Sequence, residues 1–365
     1  MTVRNLIQSI EKNAPRAYSE EWDNVGLLIG NEDSTVTGVL IALELTEAVM
    51  QEAIDGNFNF IITHHPLIFS GIKKINSSDS TGRIIQKAIT HCIAVYTAHT
   101  NLDNAPDGVN HILANKIGLK ETVVLSPQPH QSSKLITFVP VEYAQKIREA
   151  IFATGAGCIG NYDFCSFSVE GEGTFRANNH AHPFAGETGK YHIEKERRIE
   201  TVFPSYLSKQ VVAALFSAHP YEEPAYDLYK LENINGKIGS GVIGSLPEPM
   251  DEKDFLLKLK YTLNIPVLRH SDFIGKPIKK VALCGGAGSF LIRSALEQKA
   301  DVFITADIKY HDFFIPDKKM LLVDAGHYET EQFSTELLQY ILNQNFSNFA
   351  AQISVHNTNA VNYLI

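Results

Sequence analysis

The feature that most limits the possible folds of this chain is a set of three apolar runs that each end in histidine. Apolar runs that alternate with helical segments are typical of strands in a parallel sheet that is covered on both faces. In open α/β sheets, ligands bind beyond the carboxyl ends of the strands, so the three ends are predicted to meet at one site. The runs are FNFIITHHPLIF with His64 and His65, CIAVYTAHTNLD with His99 and Asp103, and MLLVDAGHYETE with His327 and Glu331.

The spacing within these segments predicts that donor atoms converge. Adjacent strand residues point to opposite faces, so His64 and His65 converge only where the strand gives way to a loop, which Pro66 favours. His327 and Glu331 are four residues apart at the start of a predicted helix and therefore share a face. Any one of the fourteen histidines is more often a surface or core residue than a ligand, and the recurrence at three strand ends is what favours metal binding.

Together the three segments supply four imidazoles and two carboxylates, which predicts a site for two divalent ions. A single catalytic zinc commonly takes three protein ligands, whereas two ions about 3.5–4 Å apart can share this number of donors. Mixed nitrogen and oxygen ligation suits zinc, iron, manganese, cobalt or nickel. Asp103 and Glu331 are both candidates for a bridging carboxylate. His99 is either a further ligand or a catalytic or orienting group beside the ions.

The order of predicted elements divides the chain into a discontinuous α/β domain and an insertion. Residues 1–127 and 236–365 both predict strands alternating with helices, and are interpreted as similar halves of one domain with mostly parallel sheets. Residues 128–235 predict the order β-α-β-β-α-β of an inserted ferredoxin-like α+β domain. SPQPHQSS and ENINGKIGSG are interpreted as its linkers, HYETEQFSTELLQYILNQ as one long helix, and AAQISVH as the last strand.

Composition and charge exclude several classes of protein. The 365 residues are 44% hydrophobic and 20% charged, which is ordinary for a globular protein of two or three domains. A formal net charge of -9 argues against nucleic acid as a partner, and no apolar run approaches the roughly 18 residues of a membrane span. The four cysteines are scattered, and the first residues lack a signal-peptide core. We therefore expect a cytoplasmic protein with reduced thiols and no membrane partner.

Three further segments carry candidate functional residues. TADIKYHDF offers Asp307 and His311 as catalytic proton carriers and Lys309 as a substrate contact, with a salt-bridged helix start as the alternative. The glycines of CGGAGS could cradle an anion with backbone N–H groups, although close packing of a helix on a strand is favoured. Trp22 is the single tryptophan, and a role as a core anchor is favoured over substrate stacking.

With these residues in view, the chain resembles the family of GTP cyclohydrolase 1 type 2 homologs, also called NGG-one-interacting-factor-three-like proteins. The similarity runs nearly from end to end and rests on WDNVGLLIG, ITHHPLIF, AHTNLD, TADIKYHDF and DAGHYETE. GAGCIGNYDFCSF, GEGTFR and HPYEEPAYD in the insertion resemble the extra domain of longer bacterial members, which is similar to PII and CutA folds. Glu44 and Ala306 depart from the family's common aspartate and glycine, and neither is expected to touch a ligand.

The resemblance implies a di-metal site and a toroidal homohexamer whose metal sites face an internal cavity. His99 is not usually counted among the ligands of that family. The implied ligands in this chain are His64, His65, Asp103, His327 and Glu331.

The expected chemistry is hydrolysis, because two metal ions lower the pKa of a bound water toward about 7 and polarise the group under attack. GTP cyclohydrolysis needs that water at C8 of guanine, and a phosphoesterase needs the same parts around phosphorus. The expected partners are further copies of the chain and a small-molecule substrate such as GTP or a related nucleotide. The alternative is a metal-binding regulatory or metal-handling protein without turnover, in which the insertion senses a small molecule or a partner.

Overall fold

The computed structural model describes residues 1–346 and 351–364, which form two compact units. One unit combines the described residues of Met1–Pro127 and Gly236–Ile365, and the other is the continuous segment Gln128–Asn235. Within these described ranges, none of the helices has both the length and the apolar character that a bilayer crossing requires.

The first segment of the discontinuous unit starts with a helix and continues with strands and helices in alternation. Helix α2 begins directly after Thr46, whose hydroxyl accepts a hydrogen bond from the Val49 N–H and so caps the helix. The elements are α1 (Val3–Asn13), β1 (Gly26–Ile29), β2 (Val39–Ala42), α2 (Glu47–Asp55), β3 (Phe60–Thr63), α3 (Ser80–Thr90), β4 (Ala94–Thr97), α4 (Thr100–Asp103), α5 (Val109–Ile117) and β5 (Lys120–Pro127).

The inserted unit has the predicted order β-α-β-β-α-β. Its strands form one antiparallel sheet in the order β7-β8-β6-β9, and Leu135, Ile147, Phe203 and Leu215 belong to the core between sheet and helices. The elements are β6 (Ser132–Pro140), α6 (Ala144–Phe152), β7 (Ser166–Phe175), β8 (His192–Pro204), α7 (Ser208–Ala218) and β9 (Tyr226–Lys230).

The second segment of the discontinuous unit carries the remaining elements. They are β10 (Gly239–Met250), α8 (Glu252–Thr262), β11 (Arg269–His270), β12 (Ile278–Leu283), α9 (Ile292–Glu297), β13 (Val302–Thr305), β14 (Leu321–Asp324), α10 (His327–Glu331), α11 (Ser334–Asn345) and β15 (Ala351–Ile353). The predicted long helix is therefore two helices. The Gln332 side-chain amide donates to the Glu329 carbonyl near the end of α10. Ala350 of the predicted last strand lies outside the described residues.

The first sheet has the order β1-β4-β3-β2-β15 and is buried on both faces. Strands β15, β2, β3 and β4 are parallel, and β1 lies antiparallel at the edge. Val39 and Ile41 of β2 pack in the core with α1 and α11, whereas Leu40 and Ala42 pack on the opposite face with α2 and α3. Burial on both faces explains why the strands read as continuous apolar runs.

The second sheet has the order β11-β14-β13-β12-β10-β5 and is mixed, contrary to the prediction of mostly parallel sheets. Only β12, β13 and β14 are parallel, while β5, β10 and β11 pair antiparallel. The register of β10 with β5 runs from Gly239 opposite Pro127 to Ser245 opposite Lys120. The end of β5 and the start of β10 therefore lie in SPQPHQSS and ENINGKIGSG, which were predicted to be linkers because of their glycine, proline and serine content.

The two sheets share a four-strand arrangement. In each sheet, a short edge strand precedes three parallel strands in the chain and pairs antiparallel with the third of them. In the first sheet this gives β1-β4-β3-β2, and in the second it gives β11-β14-β13-β12. The segments after β3, β4 and β14 carry the candidate ligands, so both sheets contribute carboxyl ends to one site.

Candidate metal centre

The adjacent histidines follow β3 at the point where the backbone leaves the strand. The N–H groups of His64 and His65 still donate to the carbonyls of Ala42 and Leu43, at 3.3 and 3.0 Å. The Thr63 hydroxyl donates to the His65 carbonyl at 2.8 Å, which holds the turn after the strand. The two imidazole rings therefore lie side by side, with centroids 4.9 Å apart, as the proline-terminated strand predicts.

The other donors come from two short helices that follow strands. His99 precedes α4, of which Asp103 is the last residue, and the Asp103 N–H donates to the His99 carbonyl at 3.1 Å. His327 and Glu331 are the first and last residues of α10, which begins three residues after β14. Each pair thus lies on one helical turn, which is the geometry that its four-residue spacing predicts.

Glu331 is the centre of the cluster. Its Oε2 lies 2.9 Å from Nε2 of His65, 3.1 Å from Nε2 of His327 and 3.8 Å from Nε2 of His64. Nε2 of His64 is 3.6 Å from Oδ1 of Asp103. Three overlapping groups have ligand atoms within 4.8 Å of one another, namely His64, His65 and His99; His65, His327 and Glu331; and His64, Asp103 and Glu331.

All four histidines use Nδ1 for a contact outside the cluster, which directs Nε2 toward the other donors. A hydrogen bond from Nδ1 to a carbonyl or carboxylate fixes the ring and its tautomer, as it does in histidines that bind metals. The Nδ1 partners are the Ala98 carbonyl for His64 at 2.9 Å, Glu44 for His65 at 2.5 Å, Asp23 for His99 at 2.9 Å, and Asp307 for His327 at 2.7 Å.

Nε2 of His64 is a buried atom without a hydrogen-bond partner. Burial lowers the pKa of this histidine to about 3, so its ring is neutral and the lone pair points toward Asp103 and Glu331. A buried lone pair that faces two carboxyl groups needs a cation or a proton between them. The donor set therefore fits a metal ion, and the buried group could hold one.

The charges on the remaining donors depend on one another. Burial lowers the pKa of His65, but Glu331 and Glu44 raise it to about 10. Burial also lowers the pKa of His327, but contacts with Glu331 and Asp307 raise it to about 9. Although burial raises the pKa of Glu331, the two histidines hold it well below its usual range. Protons on the histidines thus balance a carboxylate that a bound cation would otherwise balance.

The CGGAGS segment packs directly against the cluster. A Cβ atom at Gly286 would lie 2.0 Å from Oε1 of Glu331, and the φ angle of this glycine is +59°. The N–H groups of Gly285, Gly286 and Gly288 donate to side-chain oxygens of Asn110, Thr330 and Thr305. These groups are engaged and do not form an anion cradle. The close packing is against the ligand-bearing helix α10.

The cluster opens into a cavity of about 470 Å³, a size typical of small-molecule sites. Trp22 lines this cavity and is 61% exposed. It stacks on Phe69 with ring centroids 6.1 Å apart and planes inclined by 10°. The interpretation of Trp22 as a core anchor is therefore wrong. Trp22 lies in the loop before β1, where no hydrophobic periodicity indicates which side chains are buried.

Of the three residues proposed from TADIKYHDF, only Asp307 reaches the cluster. Its carboxylate accepts the hydrogen bond from Nδ1 of His327 at 2.7 Å, which makes it a positioning residue. Lys309 and His311 are exposed, and the described lining of the cavity does not include them. The structure therefore does not bring these two side chains to the site.

Two orienting carboxylates were missed in the sequence. Glu44 was expected to touch no ligand, yet its Oε1 is 2.5 Å from Nδ1 of His65. Asp23 contacts Nδ1 of His99 and also accepts a hydrogen bond from the Thr100 N–H at 3.1 Å. The position of Glu44 just beyond β2, at the same sheet edge as the histidine pair, is a signal that could have identified it.

The fold and the site define an α/β protein with a buried histidine–carboxylate group that could hold metal. The chain belongs to the Duf34/NIF3 (NGG1p interacting factor 3) family, which matches residues 1–362. It is 41% identical to the GTP cyclohydrolase 1 type 2 homolog of Bacillus subtilis over 329 residues, 89% of this chain and 88% of that protein. A protein of the same name from Staphylococcus epidermidis is 36% identical over 369 residues, and the match covers 100% of both chains.

Solved structures agree with this assignment. A Bacillus cereus protein related to NIF3 matches 100% of this chain and 99% of its own with a TM-score of 0.85 and 37% identity. A Staphylococcus aureus protein matches over the same shares with a TM-score of 0.79 and 33% identity. The family resemblance inferred from the motifs is confirmed.

Proposed function

We propose that this chain is a metal-dependent hydrolase that binds two divalent ions and acts on GTP or a related nucleotide. The observation that carries the proposal is that two ligand groups share Glu331, one with His65 and His327 and the other with His64 and Asp103. A shared carboxylate suits a site in which two ions lie close together. Relatives that are named GTP cyclohydrolase 1 type 2 homolog support the substrate class.

In this proposal the residues have distinct roles. His65, His327 and Glu331 would hold one ion, and His64, Asp103 and Glu331 would hold the other. His99 belongs to a third group with His64 and His65 and would complete the ligand set or face the substrate. Bound divalent ions supply a water of lowered pKa and polarise the bond under attack. The chain contributes fixed imidazole orientations and a buried central carboxylate, which is 3% exposed.

The side chains around the cluster favour a metal with nitrogen and oxygen ligands. Cys284 lines the same cavity, but burial and the charges of Asp103 and Glu331 raise the pKa of its thiol. The thiol stays protonated at neutral pH and is a poor ligand in that form. Zinc, iron, manganese, cobalt and nickel therefore all stay candidate metals.

The proposal extends to the assembly, the location and the insertion. We propose a toroidal homohexamer in the cytoplasm, as the family resemblance implies. The β-α-β-β-α-β order and single antiparallel sheet of the inserted unit support a ferredoxin-like domain of the PII and CutA type. The shared four-strand arrangement supports the interpretation of the discontinuous unit as two similar halves.

A second candidate function is regulatory metal binding without turnover, and one observation favours it. The inserted unit contains its own cavity of about 750 Å³, lined by Phe175, Phe184 and Tyr221 together with charged residues. This volume is within the range of small-molecule sites. A ligand bound there would make the insertion a sensor.

The test is turnover by protein that has been stripped of metal and reloaded separately with zinc, manganese and iron. GTP and a panel of phosphoesters are the substrates, and His65→Ala is compared with His270→Ala, which changes an exposed histidine of the same unit. Metal-dependent product that is lost only in His65→Ala supports the hydrolase. Absence of product from protein shown to hold two ions per chain would favour the regulatory function.

A further inference from the structure

Aromatic side chains form an exposed surface beside the candidate metal centre. Trp22, Phe69 and Phe290 all line the 470 Å³ cavity and are 61%, 53% and 66% exposed. Large aromatic side chains that stay exposed at a cavity next to a cluster of polar groups are typical of ligand contacts. We refer to the pair Trp22 and Phe69 as the aromatic rim.

The aromatic rim is in ring contact with the cluster. The His99 ring is arranged edge to face with Trp22 at a centroid distance of 6.1 Å and with Phe69 at 5.9 Å, and the interplanar angle is 73° in both cases. His99 in turn lies 5.3 Å from His64 and 5.1 Å from His65, centroid to centroid. A planar group that stacks on the rim is therefore separated from the ligand histidines by a single imidazole.

Hydrogen bonds hold the rim in place before any ligand arrives. Asp23, the neighbour of Trp22, is anchored by Nδ1 of His99 and by the Thr100 N–H. The side-chain amide of Asn24 donates to the carbonyl of Ile68, the neighbour of Phe69, at 2.6 Å. The loop that carries Trp22 is thus tied both to the cluster and to the segment that carries Phe69. A surface fixed in this way loses little conformational entropy on binding.

The charge of the cavity indicates which ligand it accepts. Four carboxylates line it. Asp103 and Glu331 belong to the proposed ligand set, and Glu20 and Glu44 lie outside that set. Its described lining residues include no lysine and no arginine, the side chains that usually bind phosphate. The chain therefore provides an aromatic surface for a flat ring but no cationic side chain for a polyphosphate in this cavity.

We propose that the aromatic rim of Trp22 and Phe69 binds the planar, uncharged nitrogen heterocycle of the substrate next to the metal centre. The inference rests on the proposed function and specifies it, because it makes a nucleobase or nucleoside the recognised part. The heterocycle, and not the far end of a triphosphate, then lies beside the cluster. This orientation separates a ring-opening or base-modifying hydrolase from a phosphatase.

The experiment uses the single tryptophan as the reporter of binding. Zinc-loaded protein is titrated with guanosine, GTP and inorganic triphosphate while the fluorescence of Trp22 is recorded. Guanosine is expected to quench the emission with saturation, because a stacked base contacts the indole directly. GTP is expected to bind within about threefold of guanosine. Triphosphate alone is expected to leave the quenching by guanosine unchanged, since it has no ring that could stack on the rim.

Variants separate stacking from other effects. Phe69→Ala keeps the reporter and is expected to weaken guanosine binding roughly tenfold, which is the usual scale for loss of one stacking side chain. Tyr340→Ala is the matched control, since Tyr340 is also 61% exposed and lies outside the cavity lining. Trp22→Ala is followed by calorimetry, and its metal content is measured to show that the cluster is intact.

Two results would overturn the inference. One is guanosine binding that is unchanged in both Phe69→Ala and Trp22→Ala proteins that retain their metal. The other is displacement of GTP by triphosphate with no effect of guanosine. Binding is measured separately from turnover, so the two proposals can fail independently. If guanosine binding depends on the rim but no product forms, the proposed hydrolase activity is contradicted and the proposed base-binding site is not.

Discussion

Nε2 of His65 lies 2.9 Å from Oε2 of Glu331, although the two residues follow strands of different sheets and lie in different segments of the discontinuous unit. His65 follows β3 in the first sheet, and Glu331 ends the helix that follows β14 in the second sheet. The contact is possible because both sheets direct the carboxyl ends of parallel strands toward the same place. The candidate metal centre therefore depends on the relation between two sheets of one unit.

Removing the shared carboxylate is expected to empty the centre. In Glu331→Gln the side chain keeps its volume but loses the charge that two ligand groups share, so metal content should fall from about two ions per chain to below one. Elemental analysis after dialysis against trace metal measures this. Glu329→Gln, in the same helix and also buried, is the control and should retain metal. Full occupancy in Glu331→Gln would exclude the bridging role.

The orienting carboxylate of His327 is expected to tune metal affinity without abolishing it. Asp307→Asn weakens the acceptor of the Nδ1 hydrogen bond, so the zinc dissociation constant should rise by about 10- to 100-fold. Competition with a chromophoric chelator measures the change. Asp317→Asn alters an exposed carboxylate in the following loop and should bind zinc like the unmodified protein. Equal affinities in the two variants would show that Asp307 does not position the ring.

Metal binding is expected to release protons, with a sign fixed by the histidine pKa values. In the metal-free chain the pKa is about 10 for His65 and about 9 for His327, so both rings are protonated at pH 7. Burial and the charge of Glu331 also raise the pKa of Asp103 well above its usual range, so this carboxyl group adds to the protons that a metal displaces. At least about two protons per chain should therefore be released, and affinity should rise as the pH increases from 7 to 9. Calorimetry in buffers of different ionisation enthalpy counts the protons. Buffer-independent heats would contradict this expectation.

A single methyl group at Gly286 is expected to displace the central ligand. Its Cβ would lie 2.0 Å from Oε1 of Glu331 at a φ of +59°, so Gly286→Ala should lower metal content and reduce stability by about 1 kcal/mol or more. Gly71→Ala is the matched control, because no heavy atom lies within 4 Å of its added Cβ. Metal content and thermal unfolding of both variants provide the measurement. Normal metal binding by Gly286→Ala would show that the cluster tolerates the shift.

The sequence predicted the strands and the candidate ligands correctly where a local pattern of apolar residues determines the structure. Buried parallel strands must read as apolar runs, so β3, β4 and β14 and the histidines after them could be located from the pattern alone. Asp23 could not be assigned to His99, because this contact joins elements that are distant in sequence. Glu44 contacts His65 from just beyond β2, and only its place at the same sheet edge could have indicated the contact.

Two other features were missed for physical reasons. Strands β5 and β10 are antiparallel partners whose ends contain Gly239 and Pro127, residues that local patterns assign to linkers. Trp22 is large and apolar, so burial was the simpler expectation, yet its surroundings leave it at the cavity surface. In each case a tertiary pairing or an open cavity overrides the local preference of the residue.

The insertion of Gln128–Asn235 between the two segments has a consequence for the newly made chain. Translation proceeds at about 5–20 residues per second, so the interval between synthesis of Asp103 and of His327 is roughly 10–45 s. During this interval the nascent chain carries four of the six donors, and the inserted unit emerges in full. All six donors are present only after α10 has left the ribosome, so a metal ion that needs both segments could be held only at a late step of this protein's biosynthesis.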